Sequence, residues 1–507
     1  MLRPEIARNQ YDVIVVGSGV GGSMTARRLA EKGVRVLMIE RGDFVPRETN
    51  NWSVAAVFRD KKYKAKDNWL DRDGKCFDPG MFYNVGGSTK FYGAAMFRMR
   101  ERDFEEVEHK CGISPAWPIK YSDLAPYYDE AERIFRVHGD DSHDKTAPPR
   151  DVQYPFPPIP SEPIVESMAQ SFRSQGLSPS SLPLAVNAGA AGTCILCKTC
   201  DGFPCMIAQK NDAETCGVEP ALATGRVDLL TNAFARRLLT SSDGKAVTAV
   251  EVEHWGELIQ LSAPLFIVSC NAVNSAALLL RSVDAGSPKG LANSSDIVGR
   301  NYMVHNQSAL MGLSHSANTT IFQKTLAIND WYFGDDAFPW PMGQMQMLGK
   351  LQGGMLTANL PYLPSFMGDR MARHGIDWIG LSEDLPDPNN RVTLEGGRIK
   401  LSLTLNNMDG HLELVHRMKR ALRRAGYPIV VTKSLVAHAT AHQCGTVRMG
   451  NDPGLSALDP YCRVWDQRNL FVVDASFFPS SAAVNPALTI AAQALRSADH
   501  LLATDLA

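Results

Sequence analysis

Residues 11–40 constrain the fold more than any other stretch. Tyr11-Asp12-Val13-Ile14-Val15-Val16 is a nearly continuous β-branched run, the pattern of a parallel strand buried on both faces. It meets Gly17-Ser18-Gly19-Val20-Gly21-Gly22, which fits G-x-G-x-x-G. A helix-period run follows from Ser23 to about Lys32, then a second apolar strand from Val34 to Ile39 that ends at Glu40. Glycines alone carry little weight. Strand, glycines, helix, strand and acid in that order specify a dinucleotide-binding βαβ unit. Gly17, Gly19 and Gly22 are expected to let the backbone approach a pyrophosphate, which the free N–H groups and positive end of the helix then attract. Glu40 stands where a carboxylate accepts the adenosine ribose hydroxyls, so FAD or NAD is expected and NADP is not.

The rest of the chain is long and close to neutral. Its 507 residues exceed one small core, and its net charge of −2 argues against nucleic acid as a partner. No run of about 18 apolar residues occurs, so no membrane span is expected. Met1–Gln10 is mixed polar and lacks the apolar segment of a signal peptide, which favours a cytoplasmic setting.

Asn84-Val85-Gly86-Gly87-Ser88-Thr89 is a second glycine turn, and Gly86, Gly87, Ser88 and Thr89 are candidates to wrap a flavin's pyrophosphate or ribityl chain. Lys61, Lys62, Lys64 and Lys66 form a basic run that reads as a solvated loop. Tyr121 to Arg133 has the period of an amphipathic helix with Leu124, Tyr127, Tyr128 and Ala131 inward. Seven prolines between 148 and 163 mark an extended domain crossing.

Cys194, Cys197, Cys200 and Cys205 are the most unusual local feature. Thiolates so spaced can ligate an iron–sulfur cluster or zinc, but the last step is one residue longer than the ferredoxin pattern. Free thiols are the reading adopted, with a cluster as the alternative. Leu265–Ser269 reads as another buried strand and Asn271–Leu280 as a helix packed close to the nucleotide. From 301 to about 440, methionines and aromatics concentrate, as expected for an antiparallel sheet core that also walls a pocket. Asp330, Gln344, Gln346 and Tyr92 are the polar contacts expected for a substrate there.

Near the C-terminus, His442-Gln443-Cys444-Gly445-Thr446 precedes a strand at Leu470–Val473 that ends on Asp474. Val484-Asn485-Pro486 then enters an apolar helix, Ala487–Leu502, where Pro486 suits the first turn. An imidazole of near-neutral pKa and a fixed carboxamide are the parts that removal of a hydroxyl proton requires. Taken singly, a histidine is more often structural, and an asparagine at a helix entry is more often a cap.

Together these motifs resemble the glucose–methanol–choline family of flavin oxidoreductases. The opening fingerprint, Val85–Thr89, the segment Ser382–Val392 with Glu383, Asp384, Pro386, Asn390 and Arg391, and the stretches 442–450 and 473–489 carry the likeness, which spans the chain. The bacterial pyranose oxidase and C-glycoside 3-oxidase branch is nearest, on Cys197–Cys205 and Phe338–Gln346. The resemblance implies an α/β fold. A Rossmann-like FAD domain (1–50, 75–150, 190–300 and 440–507) is joined to an α+β substrate domain on a largely antiparallel sheet (51–74, 151–189 and 301–439). It implies FAD held also by Asp474, Asn485 and Pro486, and non-covalently, because no histidine follows the second glycine turn at Ser88–Phe91. It implies oxidation of a secondary alcohol of a sugar or glycoside, at C3 of a glucosyl unit. His442 takes the hydroxyl proton, Asn485 binds the same oxygen, and hydride passes to flavin N5. Oxygen, giving peroxide, or a quinone-like acceptor then reoxidises the flavin, and self-association is left open. The alternatives are a dehydrogenase passing electrons through a cysteine-bound cluster and a lyase that holds FAD without redox turnover.

Overall fold

The computed structural model describes residues 10–360, 362–435 and 442–506. Two sheets organise the chain. The first is five-stranded and parallel. Its strands and flanking helices, in chain order, are β1 (Val13–Val16), α1 (Val20–Glu31), β2 (Val36–Ile39), β3 (Val227–Leu230), β4 (Leu265–Val268), α2 (Ala272–Arg281), β5 (Leu470–Val472) and α3 (Ala487–Thr504). The spatial order is β3-β2-β1-β4-β5, with Val13 opposite both Val36 and Leu265. Every residue of β1, β2 and β4 is buried, which is why these strands read as unbroken apolar runs and not as alternating ones. The order reverses between β1 and β4, and ligands of open parallel sheets bind beside such a reversal, off the carboxyl ends of the strands.

The helix α1 begins at Val20, so Gly21 and Gly22 are already helical. Their small size is a packing requirement. A Cβ on Gly21 would stand 1.6 Å from the Val473 carbonyl oxygen, and one on Gly22 2.1 Å from that of Gly17. Asn271 stands at the entry to α2 with φ 80° and ψ 152°, and its side chain accepts from the Val273 N–H at 3.2 Å. That conformation belongs almost wholly to glycine, so the turn is strained, and the side-chain cap offsets part of the cost.

The second sheet has six strands, all antiparallel to their neighbours, in the spatial order 429–434, 305–313, 375–383, 344–347, 326–328, 180–181. One face is apolar: Leu310, Met345, Met347, Ile376 and Trp378 pack against the helices Pro163–Ser174 and Met408–Arg424. The methionine- and aromatic-rich segment therefore serves as core on this face. The alternate residues of the same strands, Gln307, Gln346 and Ile379 among them, point the other way and line the cavity between the two sheets.

Among the described residues, no helix is long and apolar enough to cross a membrane. The helix at Tyr121–Ile134 buries Leu124, Tyr128 and Ala131, as its period predicts.

Candidate active site

A cavity of about 880 Å³ opens where the parallel sheet reverses and runs across to the antiparallel sheet. At one end it meets Gly17, Ser18, Gly19, Glu40, Gly87 and Ser88. A Cβ on Gly19 would touch nothing within 4 Å, so its backbone faces open space at the start of α1. Glu40 is buried, and its carboxylate accepts from the Ser18 N–H (3.1 Å), the Ser18 hydroxyl (2.6 Å) and the Gly42 N–H (2.9 Å). Burial nevertheless raises its pKa, against the pull of those donors. Asp474 accepts from the Asn271 N–H at 3.0 Å and the Ser476 N–H at 2.8 Å, joining β5 to the entry of α2. An elongated, glycine-walled slot with a buried acid at one end and a helix start beside it fits an FAD, with Glu40 toward the ribose and Gly19 against the pyrophosphate.

At the other end stand His442 and Asn485. They lie 43 positions apart in sequence and meet in one cavity because β5 and the segment after it carry the chain back across the floor. That segment is tightly held. The Ala482 N–H donates to Glu383 at 3.2 Å, the Ser481 hydroxyl to the Asp384 carbonyl at 3.2 Å, and the Ala483 N–H to the Tyr332 hydroxyl at 3.1 Å. Trp117 adds a bond to Ser480 at 2.8 Å. The Glu383-Asp384 pair thus fixes the approach to Asn485. Pro486 heads α3 with helical dihedrals, and the Asn485 Oδ1 has no hydrogen-bond partner among the described residues. The Oε1 atoms of Gln346 and Gln443, in the same wall, likewise have none. All three residues line the cavity, where their amides can meet a polar ligand.

The His442 pKa falls well below its ordinary value, chiefly through burial, with His305 and Lys324 adding to the effect. His442 Nδ1 lies 2.9 Å from His305 Nδ1 and 3.4 Å from the Gln307 amide. Lys324, 2% exposed, pairs with Asp201, which also accepts from the Gly349 N–H at 2.5 Å.

The remaining expected residues divide. Tyr92, Thr89, Asp474, Pro486 and Gln346 line the cavity. Tyr92 spends its hydroxyl on the Asn211 carbonyl, and so donates inward rather than to the void. Gly86 stands behind the wall and donates its N–H to the Ser18 hydroxyl at 3.2 Å, and Gly22 packs against Gly17. Two substrate candidates fall elsewhere. Asp330 accepts from the Ser178 N–H at 2.9 Å and pairs with Lys145, away from the cavity. Gln344 shares a strand face with Gln346 but lies one pleat repeat beyond the cavity's edge.

In the cysteine loop, Cys194, Cys197, Cys200 and Cys205 are free thiols, and no group of three or more ligand side chains converges for a metal among the described residues. A hydrogen bond from Cys200 holds the Cys197 thiol down at about 5, and the same contact pushes Cys200 up. The loop is gathered instead by buried Lys210, which donates to the carbonyls of Tyr92 (2.8 Å), Cys200 (3.0 Å) and Phe203 (2.7 Å).

Sequence reasoning missed His305, Gln307, Lys324, Asp201 and Gln443. Gln443 lies in the stretch 442–450 and Asp201 within Cys197–Cys205, whereas His305, Gln307 and Lys324 sit in no motif.

Comparison with known proteins adds independent information. Two family models, both described as GMC oxidoreductase, match residues 11–307 and 386–494. The chain is 32% identical to 6'''-hydroxyparomomycin C oxidase of Streptomyces lividus, over 99% of this chain and 94% of the relative. It is 31% identical to paromamine 6'-oxidase of Streptomyces fradiae, over 96% and 90%. Its fold is similar to the crystal structure of pyridoxine 4-oxidase from Mesorbium loti, with a TM-score of 0.65 at 18% identity, covering 97% of this chain and 99% of that one.

Proposed function

From the premise that this chain belongs to the GMC oxidoreductase family and is an FAD-dependent enzyme, we propose that it oxidises a secondary alcohol of an uncharged or anionic sugar or glycoside to the ketone. The observation that carries this reading is that His442, Asn485, Gln307, Gln346 and Gln443 line one cavity. Their neutral amides suit vicinal hydroxyls. Gln307 and Gln346 are supplied by the two strands that flank 375–383 and so are held rigidly.

His442 is the base that takes the hydroxyl proton. Its depressed pKa keeps it unprotonated, and ready to accept, across neutral pH. Asn485 orients the substrate oxygen from the start of α3. When bound, FAD supplies the two-electron oxidant for the carbinol carbon. Glu40, Gly19, Gly87 and Ser88 are the residues that would hold it, without a covalent link.

Charge narrows the substrate. Two of the relatives are named as oxidases of paromamine and of 6'''-hydroxyparomomycin C. Among the lining residues Asp201 is paired with Lys324 and Lys61 with Asp78 at 3.6 Å, and Lys64 adds a further cation. A cationic sugar would meet lysines there, at an energetic cost in a partly desolvated site.

The C3 position of a glucosyl unit and reoxidation by oxygen are part of the proposal. A screen of free sugars, O-glycosides, C-glycosides and amino sugars tests it, scored for peroxide and for the position of the new carbonyl by NMR. Turnover of a neutral glucoside with a 3-keto product is expected. Turnover confined to amino sugars would overturn the charge argument, and flavin bleaching without peroxide would replace oxygen by another acceptor.

A further inference from the structure

We infer that His305 is a positioning residue that fixes which nitrogen of His442 carries the proton, leaving His442 Nε2 bare. This rests on the reading of His442 as the base.

The argument runs along a chain of three groups. His305 is 0% exposed and opens the strand His305–Leu313. Its Nε2 lies 3.1 Å from the carbonyl oxygen of Ser481. A carbonyl oxygen only accepts, so this nitrogen carries the hydrogen. Burial disfavours a second proton on the ring, so His305 is the neutral Nε2–H tautomer and its Nδ1 presents a bare lone pair. That lone pair faces His442 Nδ1 at 2.9 Å, a distance that needs a hydrogen between the two nitrogens. His442 Nδ1 must supply it. A neutral imidazole has one N–H, so Nε2 of His442 is left as the free acceptor. The Gln307 Nε2 stands 3.4 Å from the same Nδ1, and in this tautomer a flip of that amide would set its oxygen there instead. In the reverse arrangement, His305 would donate to His442 and set a bare Nε2 against the Ser481 carbonyl, two buried lone pairs with no proton between them.

The anchoring carbonyl is itself fixed. Its residue bonds to the Asp384 carbonyl through the Ser481 hydroxyl, and the next N–H is taken by Glu383. The segment Glu383–Pro386 therefore sets both the His305–His442 pair and the segment leading to Asn485. The charged groups facing the pair are Glu383, which is shared with His109 at 3.2 Å, and Lys324 with Asp201. None supplies a competing acceptor to His442 Nδ1 among the described residues.

The test uses holoenzyme with 15N-labelled histidine, the His442 signals being assigned by their loss in His442→Ala. The expected result is a protonated Nδ1 and an unprotonated Nε2, and the opposite tautomer overturns the inference. The tautomer is read from spectra, so it stands or falls separately from His442's catalytic role, which turnover of His442→Ala decides. In kinetics, His305→Leu removes the acceptor and should lower kcat about 100-fold with KM nearly unchanged. His305→Asn places an oxygen near the position of Nδ1 and should recover most of the rate. An unchanged kcat in the leucine variant would overturn the inference. Should that variant not fold, the wild-type spectrum decides alone.

Discussion

At the scale of single residues, the site consists of neutral amides and one suppressed imidazole, set among charges that are already paired. The depressed pKa of His442 has a direct consequence: in the free enzyme the ring stands unprotonated over the whole neutral range. His442→Ala should lower kcat by ~10²–10⁴-fold while the purified protein stays yellow, because the residues toward the flavin ribose and pyrophosphate are elsewhere. Near wild-type turnover would move the base to another group. Glycines offer a second contrast at this scale. Gly19→Ala adds a Cβ to open space, so the apoprotein should fold and lose affinity for FAD. Gly21→Ala drives a Cβ to within 1.6 Å of a backbone carbonyl that cannot step aside. It should cost at least the ~1–3 kcal/mol typical of overpacking. Chemical denaturation of the two apoproteins separates these effects.

At the scale of elements, the antiparallel sheet is two-sided in function. Its apolar face packs on the helix Met408–Arg424, and within that contact His411 bonds the hydroxyls of Ser308 at 2.8 Å and Ser382 at 2.9 Å. Burial holds the His411 pKa down to about 4. The folded value lies below the unfolded one, so the unfolded chain binds the extra proton first. Stability from this group is full above pH ~6.5 and is lost as pH falls toward 4, by up to ~3 kcal/mol. In His411→Gln, the stability lost between pH 6.5 and 4.5 should be smaller than in the wild type, as read from denaturation midpoints. An equal acid loss in both proteins would show that this imidazole is not held neutral. The Glu383-Asp384 segment works at the same scale, since two adjacent acids tie a strand end to the segment that delivers Asn485.

At the scale of the whole molecule, the cavity lies between two sheets that meet chiefly across it, so FAD should act as a structural wedge. Removing it should lower the thermal midpoint, in line with the linkage of ligand binding to folding. Acid precipitation should release yellow FAD into the supernatant, and flavin retained in the pellet would point to a covalent link. Much of this plan was legible beforehand. The parallel sheet and its glycine turn announce themselves because a strand buried on both faces must be apolar throughout, and a backbone that approaches a ligand must lack a Cβ. His442 and Asn485 were legible only jointly, through motifs at the two ends of the chain. The substrate wall was not. Asp330 and Gln344 have the same composition and setting in sequence as Gln346, and only strand register and the extent of the cavity separate them. His305, Gln307, Lys324 and Asp201 were hidden for the same reason, since no local spacing reveals which faces of distant strands converge. Local backbone chemistry thus wrote the nucleotide fold into the sequence. Tertiary packing alone decided which side chains surround the reacting hydroxyl, because those contacts join residues more than a hundred positions apart.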